Sequence, residues 1–256
     1  MSVEVLARGL VRILEIQRAD RRNPIDRSVA EGLERAAGDV NADPHARVVV
    51  LAGAGPVFCA GADLTVRLRG PEASAEVFRS VRRASLAVRG LAVPAIAAIQ
   101  GYALGAGLEL AASCDYRIAE RHARVGLPEV QQGIASGGGL LALASLLPRG
   151  ALARIALTGE VVDADEALAL GIVDEVVEDG DARGAALALA ERIAEHPRDA
   201  LVATKAVLRV AYEPDWASRW SSVGHLQVAL EGGPSQREAL ARLAAGRRAQ
   251  RGASPA

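Results

Sequence analysis

The chain has 256 residues, half of them hydrophobic, and carries 30 basic and 31 acidic residues for a formal net charge of −1. This length is sufficient for one large domain with a sizeable core, and the hydrophobic content argues against a disordered chain. The balanced charge argues against a nucleic-acid-binding protein that relies on a broad basic field. The two cysteines and four histidines show no ligand spacing, so we expect neither a disulfide framework nor a metal site.

The N-terminal segment carries charges at Glu4, Arg8, Arg12 and Glu15. It therefore lacks the uninterrupted apolar stretch of a signal peptide. No run of about 18 apolar residues occurs, so the sequence predicts no membrane-spanning helix. We expect a cytoplasmic protein that binds neither membranes nor nucleic acids.

Strand-like and helix-like patterns alternate along most of the chain. The sequence predicts strands at residues 10–16, 46–52, 93–100, 116–119 and 172–177, and helices at residues 27–40, 71–90 and 101–112. The run ARVVVLA at residues 46–52 is typical of a strand buried on both faces. From Asp181 onward the pattern is helical. This order predicts an α/β core followed by a helical C-terminal region.

Three segments rich in small residues follow predicted strands. They are Phe58–Asp63 (FCAGAD), Gly101–Leu110 (GYALGAGLEL) and Gly126–Glu129 (GLPE). Small side chains leave backbone N–H groups accessible to a ligand. The second segment also opens a predicted helix, whose first N–H groups have no partner within the helix and whose dipole adds positive potential.

Two carboxyl groups belong to these segments. Glu109 lies within the apolar run LGAGLELAA, where a charge is costly unless it is paired or functional, and Glu129 follows Pro128. Backbone donors could hold a developing oxyanion while two carboxyl groups handle protons or water. Structural roles are the alternative, with Glu109 as a buried paired carboxylate and Glu129 as an acid at a helix N-terminus.

A dinucleotide-binding site is a competing interpretation of the glycines. Gly105 and Gly107 form a G-x-G pair, but Leu110 occupies the position of the third glycine. Gly53 and Gly55 form a second such pair, but Phe58 occupies the position of its third glycine. No G-K-[ST] phosphate loop occurs. We expect no nucleotide cofactor.

The same segments resemble the enoyl-CoA hydratase/isomerase (crotonase) family, in order and over nearly the whole chain. The matching segments are RADRRN (18–23) for the early R-P-x-x-x-N segment, FCAGADL (58–64) for the first oxyanion segment, PAIAAIQGYA (94–103) through Glu109–Leu110 and Cys114–Asp115 for the second, GLPE (126–129) with residues 133–139 for the third, and LTGE (157–160), Ala167 and GIVD (171–174) for later signatures. The resemblance implies a spiral of ββα units with the active site at residues 1–195. It also implies that residues 196–256 form a helical trimerisation region in a homotrimer or a hexamer of two trimers.

The resemblance also assigns roles to residues. It places the oxyanion-binding N–H groups on Ala62 and Ala106 and the catalytic acids on Glu109 and Glu129. Two acids favour hydration of a 2-enoyl-CoA to a 3-hydroxyacyl-CoA, with coenzyme A entering as part of the substrate and no other cofactor. The alternatives are an enoyl-CoA isomerase, a specialised acyl-CoA dehydratase or lyase, and a non-catalytic acyl-CoA-binding homologue. The expected coenzyme A contacts are Arg21, Arg22, Ala60, Asp63, Leu64, Arg247 and Arg248.

Four positions depart from the family pattern. Ala106 stands where many members have glycine, and Ala19 stands where proline is usual. Ser136 replaces a common proline and Leu140 a common glycine, both near the expected acyl pocket. These two residues therefore bear on the choice of acyl group.

Overall fold

The computed structural model describes residues 2–212 and, beyond them, residues 237, 240, 241, 244 and 245. Its strands are β1 (Val3–Arg8), β2 (Val11–Ile16), β3 (Val48–Gly53), β4 (Ala95–Ile99), β5 (Tyr102–Leu104), β6 (Tyr116–Glu120), β7 (Arg124–Gly126), β8 (Val161–Asp163) and β9 (Glu175–Val177). Its helices are α1 (Arg27–Ala42), α2 (Leu64–Arg67), α3 (Pro71–Arg89), α4 (Ala106–Ala112), α5 (Gly137–Leu143), α6 (Arg149–Thr158), α7 (Ala164–Leu170), α8 (Ala182–Ala194) and α9 (Arg198–Tyr212). Two 3-10 helices cover Ala19–Arg21 and Pro128–Gln132.

The strands of the described residues form two sheets. The larger sheet has the order β1-β2-β3-β4-β6-β9, and only its β1–β2 pair is antiparallel. The smaller sheet has the order β5-β7-β8, with β5 parallel and β8 antiparallel to β7. An isolated parallel bridge between Cys59 and Ala103 places the loop after β3 beside β5 and the helix that follows β5.

Alternate residues of β3 face two separate hydrophobic clusters. Val49 and Leu51 pack in the cluster that includes α1, α3 and α4, whereas Val48 and Val50 pack in the cluster that includes α8. All six residues of β3 are buried. This confirms the interpretation of the run ARVVVLA as a strand covered on both faces.

The segment after β4 differs from the prediction. The sequence predicts one helix over residues 101–112, but β5 occupies the first part and α4 begins at Ala106. β5 pairs in parallel with β7, so residues 102–104 lie beside residues 124–126. A local hydrophobic pattern does not reveal a pairing between segments so far apart in the sequence. β1, which pairs with β2 at the edge of the large sheet, was also not predicted.

Helix α9 is attached to the core by an ion pair whose lysine is buried. Lys205 is 3% exposed, and its Nζ lies 2.7 Å from Asp115 Oδ2 and donates a 2.9 Å hydrogen bond to the Val93 carbonyl. The predicted division at residues 195 and 196 falls between α8 and α9. Most of the predicted trimerisation region lies outside the described residues, and its role stays a prediction. None of the described helices is long and apolar enough to cross a membrane.

Candidate active site

The first small-residue loop packs directly against β5 and the start of α4. The Cys59 N–H donates to the Tyr102 carbonyl over 3.0 Å, and the Leu104 N–H donates to the Cys59 carbonyl over 3.2 Å. A Cβ atom at Gly107 would lie 2.2 Å from the Cys59 carbonyl oxygen. Only glycine permits this approach of two backbones, which brings the loop containing Ala62 beside α4.

The backbone N–H groups of Ala62 and Ala106 are available to a ligand. Both residues line one cavity, and no described residue accepts a hydrogen bond from either N–H. Gly61, next to Ala62, has a φ of +104°, and a Cβ atom there would lie 3.8 Å from the Ala106 nitrogen. Two donors from separate segments therefore border the same space, as an oxyanion site requires.

The cavity has a volume of about 210 Å³ and contains both predicted acids. The apolar part of its lining includes Val77, Phe78, Val81, Leu104 and Ile134, and the polar part includes Arg67, Ser74, Gln132, Ser136, Glu109 and Glu129. A cleft lined by apolar side chains with convergent polar groups among them is typical of a small-molecule site.

Glu109 lies in the first turn of α4 and is 5% exposed. The Ser85 hydroxyl on α3 donates a 2.7 Å hydrogen bond to Glu109 Oε1. Burial raises the pKa of Glu109 to about 7, and repulsion from Glu129 also raises it. The hydrogen bond from Ser85, the charge of Arg89 and the Gly139 N–H lower this pKa. The carboxyl group therefore exchanges protons near neutral pH, which general acid–base catalysis needs.

Glu129 reaches the cavity from the 3-10 helix that Pro128 starts. The residue is half-buried, and its Oε2 atom is buried and has no hydrogen-bond partner among the described residues. Burial raises the pKa of Glu129 to about 7, against opposing effects of its own N–H, the nearby Ser136 hydroxyl and the Arg67 charge. Its Oε1 lies 2.8 Å from the position that a Cβ atom would take on Gly105, the residue before the Ala106 donor.

Asp63 supports the loop that presents Ala62. Asp63 is 2% exposed. Its carboxylate accepts hydrogen bonds from the Thr65 N–H and hydroxyl and pairs with Arg18 at 2.9 Å. Asn23, with a φ of +54°, donates from Nδ2 to the Ala54 and Val57 carbonyls. These contacts connect the early RADRRN segment to the first oxyanion segment.

The predicted coenzyme A contacts differ in their position relative to the cavity. Ala60 and Leu64 line the cavity, whereas Arg21 and Arg22 are exposed, with Arg21 Nη1 4.0 Å from Asp63 Oδ2. Arg247 and Arg248 lie outside the described residues. The assignment of these residues to coenzyme A stays a prediction.

Two of the departures from the family pattern differ in their surroundings. Ser136 lines the cavity, whereas Leu140 is partly buried against the hydrophobic core. Sequence reasoning missed Ser85, Arg67 and Gln132 as neighbours of the acids. Ser85 is separated from Glu109 by 24 residues, and no local pattern relates them. Arg67 lies one helical turn after Asp63, and this spacing is the only feature of the sequence that relates Arg67 to the site.

A sequence model of the family described as enoyl-CoA hydratase/isomerase matches residues 8–226. The chain belongs to the enoyl-CoA hydratase/isomerase family. A probable enoyl-CoA hydratase of Mycobacterium avium is 38% identical over 201 residues, which cover 77% of each chain. The (E)-benzylidenesuccinyl-CoA hydratase of Thauera aromatica is 35% identical over 207 residues, covering 80% of this chain and 81% of the relative.

Solved structures of the enoyl-CoA hydratase/isomerase family share the fold. An enoyl-CoA hydratase/isomerase from Mycobacterium paratuberculosis superposes with a TM-score of 0.86 at 27% identity, covering 94% of this chain and 98% of that one. A carnitinyl-CoA hydratase from Mycobacterium avium superposes with a TM-score of 0.83 at 34% identity, covering 96% of each chain. The predicted α/β fold class and the resemblance to this family are both confirmed.

Proposed function

We propose that the protein is an enoyl-CoA hydratase, a hydro-lyase that adds water across the 2,3 double bond of a 2-enoyl-CoA. The observation that carries this proposal is a pair of carboxyl groups, Glu109 and Glu129, that line one cavity with two backbone donors. Relatives named as enoyl-CoA hydratases, 33–38% identical to this chain, support it. An isomerase that only moves a proton needs no second group to activate water, so the two acids favour hydration.

The backbone donors stabilise the negative charge of the reaction. The thioester oxygen accepts hydrogen bonds from the N–H groups of Ala62 and Ala106 as the enolate forms. Each donor contributes on the order of 100–1000-fold in rate, because it is already in place before charge develops.

The two carboxyl groups divide the proton transfers. Water lies between Glu109 and Glu129; a carboxylate accepts its proton as the water oxygen bonds to C3, and a carboxylic acid delivers a proton to C2. Burial raises the pKa of both carboxyl groups, so that the pair can hold a proton and supply an acid and a base together. The product is a 3-hydroxyacyl-CoA and the net proton count of the pair is unchanged.

The remaining parts of the proposal follow from family membership. Coenzyme A is bound as part of the substrate, with no other cofactor, by Arg21, Arg22, Ala60, Asp63 and Leu64. The basic residues Arg247 and Arg248 contact its phosphates, since guanidinium groups match phosphate geometry. Residues 196–256 form the trimerisation region of a cytoplasmic homotrimer or hexamer.

The deciding test is the loss of the enoyl-thioester absorbance of crotonyl-CoA, with the product identified by mass spectrometry. We expect wild type to add one water, and Glu129→Gln and Glu109→Gln each to lower kcat by at least about 100-fold. Glu72→Gln, at an exposed position of α3, is the matched control and should retain wild-type rates. Hydration by Glu129→Gln at the wild-type rate would contradict the mechanism. A product of unchanged mass would identify an isomerase instead.

A further inference from the structure

An arginine lines the cavity next to the reacting groups. Arg67 ends helix α2, only one turn after Asp63, and is 5% exposed. Its Nε donates to Ser74 Oγ over 3.4 Å, and its Nη1 donates to Gln132 Oε1 over 3.3 Å. The guanidinium also lies close enough to Glu129 for its charge to lower the pKa of that carboxyl group. A positive charge is therefore part of the acyl cavity itself and not of its solvent-exposed rim.

Other polar groups line the same cavity. Ser136 is 8% exposed, and its Oγ atom is buried without a hydrogen-bond partner among the described residues. Ser136 is the N-cap residue of α5, where a serine hydroxyl normally accepts from a backbone N–H, yet it makes no such capping bond. With the Gln132 amide, it leaves the cavity with hydrogen-bonding groups that a plain hydrocarbon chain cannot satisfy.

The charges of the cavity decide which polar group fits. Glu109 and Glu129 would repel an anionic acyl chain, and Arg67 supplies the charge that offsets this repulsion. A guanidinium carries five N–H donors in a planar arrangement and can serve several acceptors at once, including both oxygens of a carboxylate. Because Arg67 is buried, water screens its attraction for an anion less than it would at the surface.

We propose that Arg67 makes this site selective for short 2-enoyl thioesters whose acyl chain ends in a carboxylate. Arg67 pairs with that carboxylate, and Gln132 and Ser136 donate further hydrogen bonds to it. Val77, Phe78 and Val81 contact the carbon chain between the thioester and the carboxylate. The proposal rests on the proposed hydratase function and specifies its substrate class.

The kinetic test compares two esters of matched shape. Glutaconyl-CoA ends in a carboxylate, and 5-methylhex-2-enoyl-CoA has an isopropyl group in its place. We expect wild type to hydrate glutaconyl-CoA with a kcat/KM at least about 10-fold higher. Arg67→Met should lower kcat/KM for glutaconyl-CoA on the order of 100-fold, mainly through KM, and at least about 10-fold more than it lowers kcat/KM for the neutral ester. Arg67→Lys, which keeps the charge without the planar fork, should recover part of the preference.

Two kinetic results would overturn the proposal. One is a wild-type enzyme that shows no preference for the carboxylate. The other is an equal loss on both esters in Arg67→Met, because that result would mean that Arg67 acts through Glu129 on every substrate.

A binding measurement separates this inference from the proposed function. Glutaryl-CoA and 5-methylhexanoyl-CoA are the saturated counterparts and cannot be hydrated, so calorimetry on wild type reports acyl recognition alone. Tighter binding of glutaryl-CoA supports the proposal, and equal or weaker binding overturns it, without reliance on the folding of a variant. If wild type hydrates crotonyl-CoA but shows no carboxylate preference in either assay, only this inference fails. If wild type hydrates none of the esters, the hydratase function fails and the binding result still decides whether the site selects a carboxylate.

Discussion

Ser85 on α3 and Glu109 on α4 are joined by a buried 2.7 Å hydrogen bond in which the serine hydroxyl is the donor. A hydrogen bond donated to a carboxylate favours its ionised form and lowers its pKa. Burial and repulsion from Glu129 act in the opposite direction on Glu109. Ser85 is therefore a positioning residue that keeps a deeply buried carboxyl group within the range where it can exchange protons at neutral pH.

Ser85→Ala should move the pH dependence of the enzyme. Without this donor the ionised form of Glu109 is less stable, so the acid limb of the kcat/KM profile should shift to higher pH by about one unit. Ser80→Ala is the matched control, because Ser80 is buried on the same helix but donates to the Glu76 carbonyl. An acid limb in Ser85→Ala that coincides with wild type would show that the hydrogen bond does not tune Glu109.

Gly105→Ala should damage activity more than stability. Gly105 has a φ of +53°, and an added Cβ atom would lie 2.8 Å from Glu129 Oε1. Gly9→Ala is the control, because Gly9 has a φ of +57° and nothing lies within 4 Å of its added Cβ. Gly9→Ala should lose about 1–2 kcal/mol of unfolding free energy from its positive φ, and Gly105→Ala at least as much, because its φ of +53° and ψ of −118° lie in a region that favours glycine. Only Gly105→Ala should lower kcat, by about 100-fold, since Glu129 must move. Equal kcat values in the two variants would refute this assignment.

Glu109→Gln should become more stable relative to wild type as the pH rises. The pKa of Glu109 is raised from 4.5 to about 7 in the folded protein, so the folded state binds the proton more tightly than the unfolded state. Stability of wild type from this group is then fully present below about pH 4.5 and is lost as the pH rises through 7. Denaturant unfolding at pH 5 and pH 8 should show a gain for the variant of up to about 3 kcal/mol at the higher pH. A difference between variant and wild type that does not change with pH would contradict the raised pKa.

Asp63→Asn should destabilise the loop that presents the Ala62 N–H. Burial raises the pKa of Asp63, but hydrogen bonds from Thr65 and Arg18 and the Arg18 charge outweigh it, so the pKa is lowered overall. Loss of the charge should cost about 2 kcal/mol at neutral pH, because Arg18 also pairs with Asp26 at 3.0 Å and keeps one partner.

The pH dependence of the Asp63→Asn effect provides its check. The stabilisation is present above the ordinary value of 3.8 and is lost as the pH falls through the lowered pKa, so variant and wild type should converge in acid. Asp20→Asn is the control, because the Asp20 side chain is 80% exposed and should change stability by less than about 0.5 kcal/mol. If variant and wild type converged at alkaline rather than acid pH, the pKa of Asp63 would be raised and not lowered in the folded protein.

The sequence by itself determined the α/β class and much of the site. β-branched runs such as residues 46–52 encode burial on both faces, and a carboxylate inside LGAGLELAA is costly enough to indicate a function. Glycines 105 and 107 and the acids Glu109 and Glu129 were identified because small residues and charges in apolar surroundings are local signals.

Only the tertiary structure decided which of these residues meet and what surrounds them. The β5–β7 pairing replaced part of a predicted helix, and contacts across 24 residues and more brought Ser85 to Glu109 and Arg67 to Gln132. Periodicity reports which face of an element is buried, but not which distant element covers it. The pKa values of Glu109 and Glu129 and the positive charge in the cavity depend on that covering. Burial and neighbouring charges set a pKa, and the sequence around a residue reveals neither.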